Sequence, residues 1–213
     1  IGSYTNPNIE KIISYEPTLV IGQEFHKKSL QESKRFGIKS IELNLKTVEA
    51  IKESINKLSQ ALHVEQNAKR LIEDIDNALS SKKIKKSSHT VLIVYGLKED
   101  LRSGVYVAGD NIFFNDIIEA CGDTNAYKDS FISQPVLGYE NIIALNPEQI
   151  IILHSKKSAP HVDVKRALQS WKNIPTRASK NSRISVVDES YIHIPSHRVA
   201  LTIKRLCKEM SYD

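Results

Sequence analysis

The sequence predicts an α/β protein built as two lobes joined by a long α-helix, and three observations carry the prediction. The segment IEKIISYEPTLVI (residues 9–21) has a near-double at YENIIALNPEQIII (residues 139–152), each reading Glu, one residue, Ile-Ile, three residues, Pro, two residues and a β-branched apolar run. Those runs are continuous in Leu, Val and Ile, which suits parallel strands covered on both faces. Between the two copies lies a long stretch with helical spacing.

In each copy a helix carrying the Ile pair meets a proline. Proline removes a backbone donor and biases the residue before it toward extended geometry, so a strand is expected at once. The strands are Thr18 to Gly22 and Gln149 to His154. Each then meets a polar segment, QEFHKKS or HSKKSAP, followed by a helical pattern and a second strand, KSIELN from Lys39 or RISVVD from Arg183. The shared order marks a repeated α/β unit. A helix-Pro-strand junction is also a common local solution, but the equal separation of Glu and Pro favours the repeat.

The helical link begins at Thr47, an N-cap residue before Val48, Ile51, Ile55, Leu58 and Leu62. A second helix runs from Val64 to Ile84 with Ala68, Leu71, Ile72, Ile75 and Leu79 on its stripe, about 30 Å long at 1.5 Å per residue. Lys82, Lys83, Lys85 and Lys86 suit the negative end of its dipole. The strand TVLIVYG follows. The expected division is a first lobe at 1–62, a bridging helix at 63–86 and a second lobe at 87–213. Only two strands are readable in the first lobe against three in the second, at Thr90 to Gly96, Gln149 to His154 and Arg183 to Asp188. A two-stranded parallel sheet leaves an unpaired edge. The first lobe is therefore expected to be incomplete, its edge covered by an earlier part of the protein or by a neighbouring chain, the latter making a dimer.

With 213 residues, 40% hydrophobic and 26% charged, the chain can bury a sizeable core. Its net charge of +5 is spread over scattered Lys and Arg residues, without the basic face and interleaved aromatics of a nucleic-acid reader. No apolar run approaches the roughly 20 residues of a membrane span. Two cysteines are too few for a disulfide scaffold and lack metal spacing, so they leave the compartment open.

The segments IGSYTNPNIEKIISYEPTLVIG, VYVAGDNIFFNDIIEACGDTNAY, VLGYENIIALNPEQIII and SWKNIPTRASKNSRISVVD, in this order, resemble the substrate-binding proteins of ABC importers for iron chelates, haem and cobalamin, the class III periplasmic binding proteins. The resemblance covers essentially the whole chain. It implies two Rossmann-like three-layer lobes with the ligand between them, a long helix that limits hinge opening, and a first lobe lacking its opening strand and loop. It also implies an export signal or lipoprotein anchor on the precursor, hence a periplasmic or extracellular, membrane-anchored location. Glu10 and Glu140 match the exposed glutamates that engage arginines on the two permease subunits, so the repeat would mirror a two-fold partner. Without the resemblance, each is equally well a first-turn acid favoured by the helix dipole.

The same resemblance points to Tyr4 and the loop Gln23, Glu24, Phe25 and His26 in the first lobe as ligand contacts. In the second it points to Arg102 and Tyr106, to His154, and to Tyr191, His193 and Arg198. Arg forks onto carboxylates, and Tyr or His can complete a metal shell, which suits an anionic iron chelate. Cobalamin binders of the family surround the corrin with tryptophans. Here the only Trp is Trp171, on a predicted helix, and Gln134 stands where an aromatic is expected. A ferric chelate therefore ranks first, cobalamin or haem second. Cys121 and Cys207 fall where some cobalamin-binding relatives have a disulfide, and if paired they would close a loop of roughly 90 residues, worth about 4 to 5 kcal/mol. Two buried free thiols are the alternative.

A free Zn or Mn binder is the rival within the class, using His26 with His154 and His193. An enzyme is the rival outside it. The chain has no Gly-x-Ser-x-Gly elbow, no phosphate-cradling loop and no dinucleotide fingerprint. No resident metal or cofactor is assigned.

Overall fold

The computed structural model describes residues 1–80, 88–129, 131–155 and 161–211. They form two compact units, Ile1–Ile72 and Glu73–Asp213.

The first unit opens on α1 (Ile9–Ile13), capped by Asn8, whose side chain accepts from the Lys11 N–H at 2.8 Å. Beyond α1, Glu16 turns left-handed (φ 48°) and donates its N–H to Ile13 at 2.8 Å, immediately before Pro17. The second copy closes in the same way. There α6 (Tyr139–Leu145) ends at Asn146 (φ 46°), whose N–H reaches the Ile142 carbonyl at 3.1 Å before Pro147. Both residues before proline are thus left-handed rather than extended as the sequence suggested, because closing the last helical carbonyls outweighs the local bias.

Strands β1 (Leu19–Gln23) and β2 (Lys39–Leu43) pair in parallel, from Leu19 opposite Lys39 to Gln23 opposite Leu43. Between them α2 (Lys27–Arg35) buries Leu30 and Ser33. A hollow of about 450 Å³ is lined by Ile12, Tyr15, Leu19, Ile21 and Leu30, among others. Helix α3 (Val48–Leu62) starts at Thr47, whose hydroxyl accepts from the Ala50 N–H at 3.1 Å, and buries Val48, Ala50 and Ile51. It stops at His63, which is left-handed (φ 56°).

Helix α4 (Glu65–Ser80) follows, about 24 Å long at 1.5 Å per residue. Ala68, Ile75 and Ala78 are its buried positions, and the division between the units falls within it. The lysines expected at its end, with Ile84, lie outside the described residues.

In the second unit the three long strands expected from the sequence form β3 (Thr90–Tyr95), β7 (Gln149–His154) and β8 (Ile184–Asp188), with β3 and β8 each parallel to β7. Three short ones extend the sheet: β4 (Val105–Val107), β5 (Thr124–Asn125) and β6 (Val136–Leu137). The order is β6-β4-β3-β7-β8, with β5 on β3. Tyr106, which the resemblance points to as a ligand contact, therefore lies on a strand. Elements of two or three residues are too short to show alternation.

Every residue of β7 is buried. Leu92, Val94, Ile150 and Ile152 pack with Ile142, Ile174 and Trp171, the last on α7 (Val164–Lys172). Helices α5 (Phe113–Ala120) and α9 (Val199–Met210) are in contact, and Cys121 is bonded to Cys207 rather than left as a free thiol. The short α8 (Arg177–Lys180) is knitted to the second copy of the repeat. Asn146 Oδ1 accepts from the Arg177 N–H at 2.9 Å, and Glu148 pairs with the Arg177 guanidinium at 3.2 Å. The Thr90 N–H and then Arg177 hold the Glu148 carboxyl below its ordinary range.

One backbone approach is tight enough to test. A Cβ on Gly109 would stand 2.2 Å from the Ile132 carbonyl oxygen and 3.0 Å from that of Ser133, which already accepts the Gly109 N–H. Backbone atoms on both sides cannot step aside as a side chain would. Gly109→Ala is expected to cost roughly 1 to 3 kcal/mol in urea unfolding. An unchanged midpoint would show that segment 131–136 yields freely.

Candidate functional site

The candidate residues of the first unit gather at the carboxyl end of β1. Gln23 ends the strand and a single 3₁₀ turn, Glu24–His26, follows. Tyr4 reaches this turn from the start of the chain: Gln23 Nε2 donates to its phenol at 2.9 Å, and His26 Nε2 lies 2.6 Å from its carbonyl. The rings of Tyr4, Phe25 and His26 pack against one another, with centroids 5.2 Å apart for Tyr4 and Phe25, 5.7 Å for Tyr4 and His26, and 4.1 Å for Phe25 and His26. Tyr4 stays 69% and Phe25 50% exposed, a large aromatic area left open to solvent. Glu24 turns to Lys46, 2.9 Å away, and this partner lowers its carboxyl from the usual range. Of the loop named from the sequence, Gln23, Phe25 and His26 join Tyr4 in one group, and Glu24 is engaged by a cation that the sequence did not single out.

In the second unit the sheet register does the gathering. Tyr106 on β4 is paired with Tyr95 at the end of β3; Tyr95 is paired with Leu153, and the next residue, His154, faces Asp188 at the end of β8. Tyr106, Tyr95 and His154 are thereby set at the carboxyl ends of the parallel strands, where open α/β sheets hold ligands. The chain after β8 carries Tyr191, His193 and Arg198. The Arg198 guanidinium lies 6.0 Å from the Tyr191 ring, at the outer limit of a cation–π contact, and its buried Nε has no hydrogen-bond partner among the described residues. His154 is 2% exposed. Burial, and then the neighbouring His154, lower the proton affinity of His193.

Arg102 stands apart, exposed and held by Asp100 through Nε at 3.0 Å and a second nitrogen at 3.1 Å. Tyr95 was not among the residues singled out from the sequence. Burial holds its phenol protonated to high pH, and the oxygen lacks a partner of good geometry among the described residues. Its only signal in the sequence is its place as the last residue of a buried strand, before Gly96 (φ 77°).

Glu10 and Glu140 are exposed and occupy the first turns of α1 and α6, and neither makes an ion pair among the described residues. Among the described residues no group of three or more His, Cys, Asp or Glu side chains is arranged to hold a metal ion, and no helix is long and apolar enough to cross a membrane.

Comparison with known proteins agrees with this architecture. The vitamin B12-binding protein of Vibrio parahaemolyticus is 26% identical over 212 residues, 98% of this chain and 74% of that protein. The periplasmic heme-binding protein HutB of Vibrio cholerae superposes with a TM-score of 0.77 at 21% identity, covering 98% of this chain and 82% of that one. An ABC-type Fe3+-hydroxamate transport protein of Saccharomonospora viridis superposes with a TM-score of 0.71 at 18% identity, covering 96% of this chain and 72% of that one. These relatives are binding proteins of transport systems rather than enzymes, and they share the two-lobed α/β fold. Residues 1–191 match the periplasmic binding protein family, and the chain belongs to that family.

Proposed function

We propose that this protein is the extracytoplasmic binding component of an ABC importer, capturing a ferric chelate and delivering it to a permease. In the first unit the candidate contacts are Tyr4, Gln23, Phe25 and His26. In the second, taken by itself, they are Tyr106, His154, Tyr191, His193 and Arg198, with Arg102 at the margin. The observation that carries the reading is Arg198: a permanent cation with a buried, unpartnered Nε beside a phenol suits the carboxylate or phenolate oxygens of an anionic ligand. A free metal ion fits less well, because both ring nitrogens of His26 are already engaged within the protein. Haem or cobalamin is the second reading, favoured by the relatives named for vitamin B12 and heme.

The test is equilibrium titration of the purified protein with a ferric trihydroxamate, a ferric tricatecholate, haemin and cyanocobalamin. A ferric chelate is expected to bind most tightly. Tight binding of cyanocobalamin alone would replace this reading with the second one.

Delivery is proposed to run through Glu10 and Glu140. Exposed acids of this kind set orientation and encounter rate with a basic partner. In vesicles carrying the cognate permease, Glu10→Ala and Glu140→Ala are each expected to reduce uptake on the order of tenfold with ligand affinity unchanged. Full uptake by both variants would leave the carboxylates as helix-terminus acids only.

A further inference from the structure

Two contacts independently fix the proton on His26. The Gln23 backbone N–H donates to Nδ1 at 3.1 Å, so Nδ1 carries no hydrogen. Nε2 lies 2.6 Å from the Tyr4 carbonyl, which can only accept, so Nε2 carries it. Both conditions describe the same neutral tautomer, and no lone pair is left for a metal. The backbone makes room for this ring. A Cβ on Gly22 would stand 3.1 Å from His26 Cβ and 3.2 Å from Nδ1, closer than side-chain packing normally allows.

The ring ties two separate pieces of chain together. One is the end of β1. The other is the opening hook, itself folded by a bridge between Gly2 and Pro7 and by the Asn8 N–H donating to the Ile1 carbonyl at 3.0 Å. Tyr4 sits on the hook and Phe25 on the turn, so the relative placement of their exposed rings depends on the ring between them.

We propose that His26 is a positioning residue that sets Tyr4 and Phe25 as an open aromatic face for a flat, unsaturated part of the ligand. The proposal rests on the binding function above and narrows its ligand to a chelate or macrocycle bearing aromatic rings. Aromatic pairs prefer the offset and edge-on geometries that such a face offers.

The experiment compares wild type, His26→Phe and His26→Gln as full chains, titrated with haemin, a ferric tricatecholate and an aliphatic ferric trihydroxamate. Phenylalanine keeps a ring and removes both hydrogen bonds. Glutamine restores one acceptor and one donor. Expected is a loss on the order of tenfold for the two aromatic ligands in His26→Phe, a clearly smaller loss for the hydroxamate, and recovery of the aromatic ligands in His26→Gln. Equal loss for all three ligands overturns the aromatic face, and failure of glutamine to recover binding overturns the positioning role. If wild type binds none of them, the functional reading fails instead. The tautomer is tested apart from ligand and variant, by a long-range proton–nitrogen correlation spectrum of the wild-type protein at neutral pH. The Nε2–H pattern is expected for His26, and a proton on Nδ1 overturns the proposal.

Discussion

Replacing Cys121 and Cys207 together by alanine, or reducing the bridge with a dithiol, is expected to lower the stability of the second unit by roughly 4 to 5 kcal/mol. The bridge joins residues 86 apart in sequence, from the end of α5 to the last turns of α9. Most of the effect belongs to the unfolded chain, which regains the freedom that the loop denied it. The native unit changes less, because α9 is also held by Val199, Ala200, Ile203, Leu206 and Met210, all buried. At roughly 2 to 4 °C per kcal/mol for a protein of this size, the thermal midpoint should fall by about 10 °C or more. Calorimetry with and without reductant measures it. Ligand affinity well below the new midpoint should be nearly unchanged. A shift of only a degree or two would mean that the reduced chain keeps the two helices together even when unfolded.

What the sequence disclosed was what local pattern controls. Runs of three or four Leu, Val and Ile residues marked β1, β3 and β7, and Thr47 marked the start of α3, because a cap and a buried strand each leave a signature within a few residues. The two copies of the repeat were legible for the same reason. The left-handed turns at Glu16 and Asn146 were not, since the proline after each suggested the opposite geometry. Strands β4, β5 and β6 depend on pairing to β3 or to each other, which no window of sequence records.

The candidate site divides along the same line. His26 and Tyr4 are 22 residues apart, and their contact has no periodicity to betray it. Tyr95 became visible only through its register with Tyr106. Arg102 was named through the resemblance, and its partner Asp100, only two residues earlier, was not singled out with it.

Trp171→Ala is expected to cost the second unit about 3 to 5 kcal/mol, and Trp171→Phe about 1 kcal/mol or less. The indole is fully buried among Leu92, Val94, Ile142, Ile150, Ile152 and Ile174, so truncation to alanine leaves a void that a close-packed sheet and helix cannot collapse to fill. Phenylalanine loses volume as well, but it also removes an indole N–H that is buried without a partner among the described residues. An unsatisfied donor of that kind costs about 1 to 3 kcal/mol, so the two terms oppose each other. The backbone contacts do not depend on the ring, since the Trp171 carbonyl accepts from Ile174 N–H and Ser179 Oγ, each at 3.2 Å. Because this is the only tryptophan, its replacement removes the intrinsic fluorescence probe, and urea unfolding has to be followed by far-ultraviolet circular dichroism. Equal losses for the two variants would mean that the indole N–H finds a partner in solution, such as a buried water, and that phenylalanine strands that partner as thoroughly as alanine does.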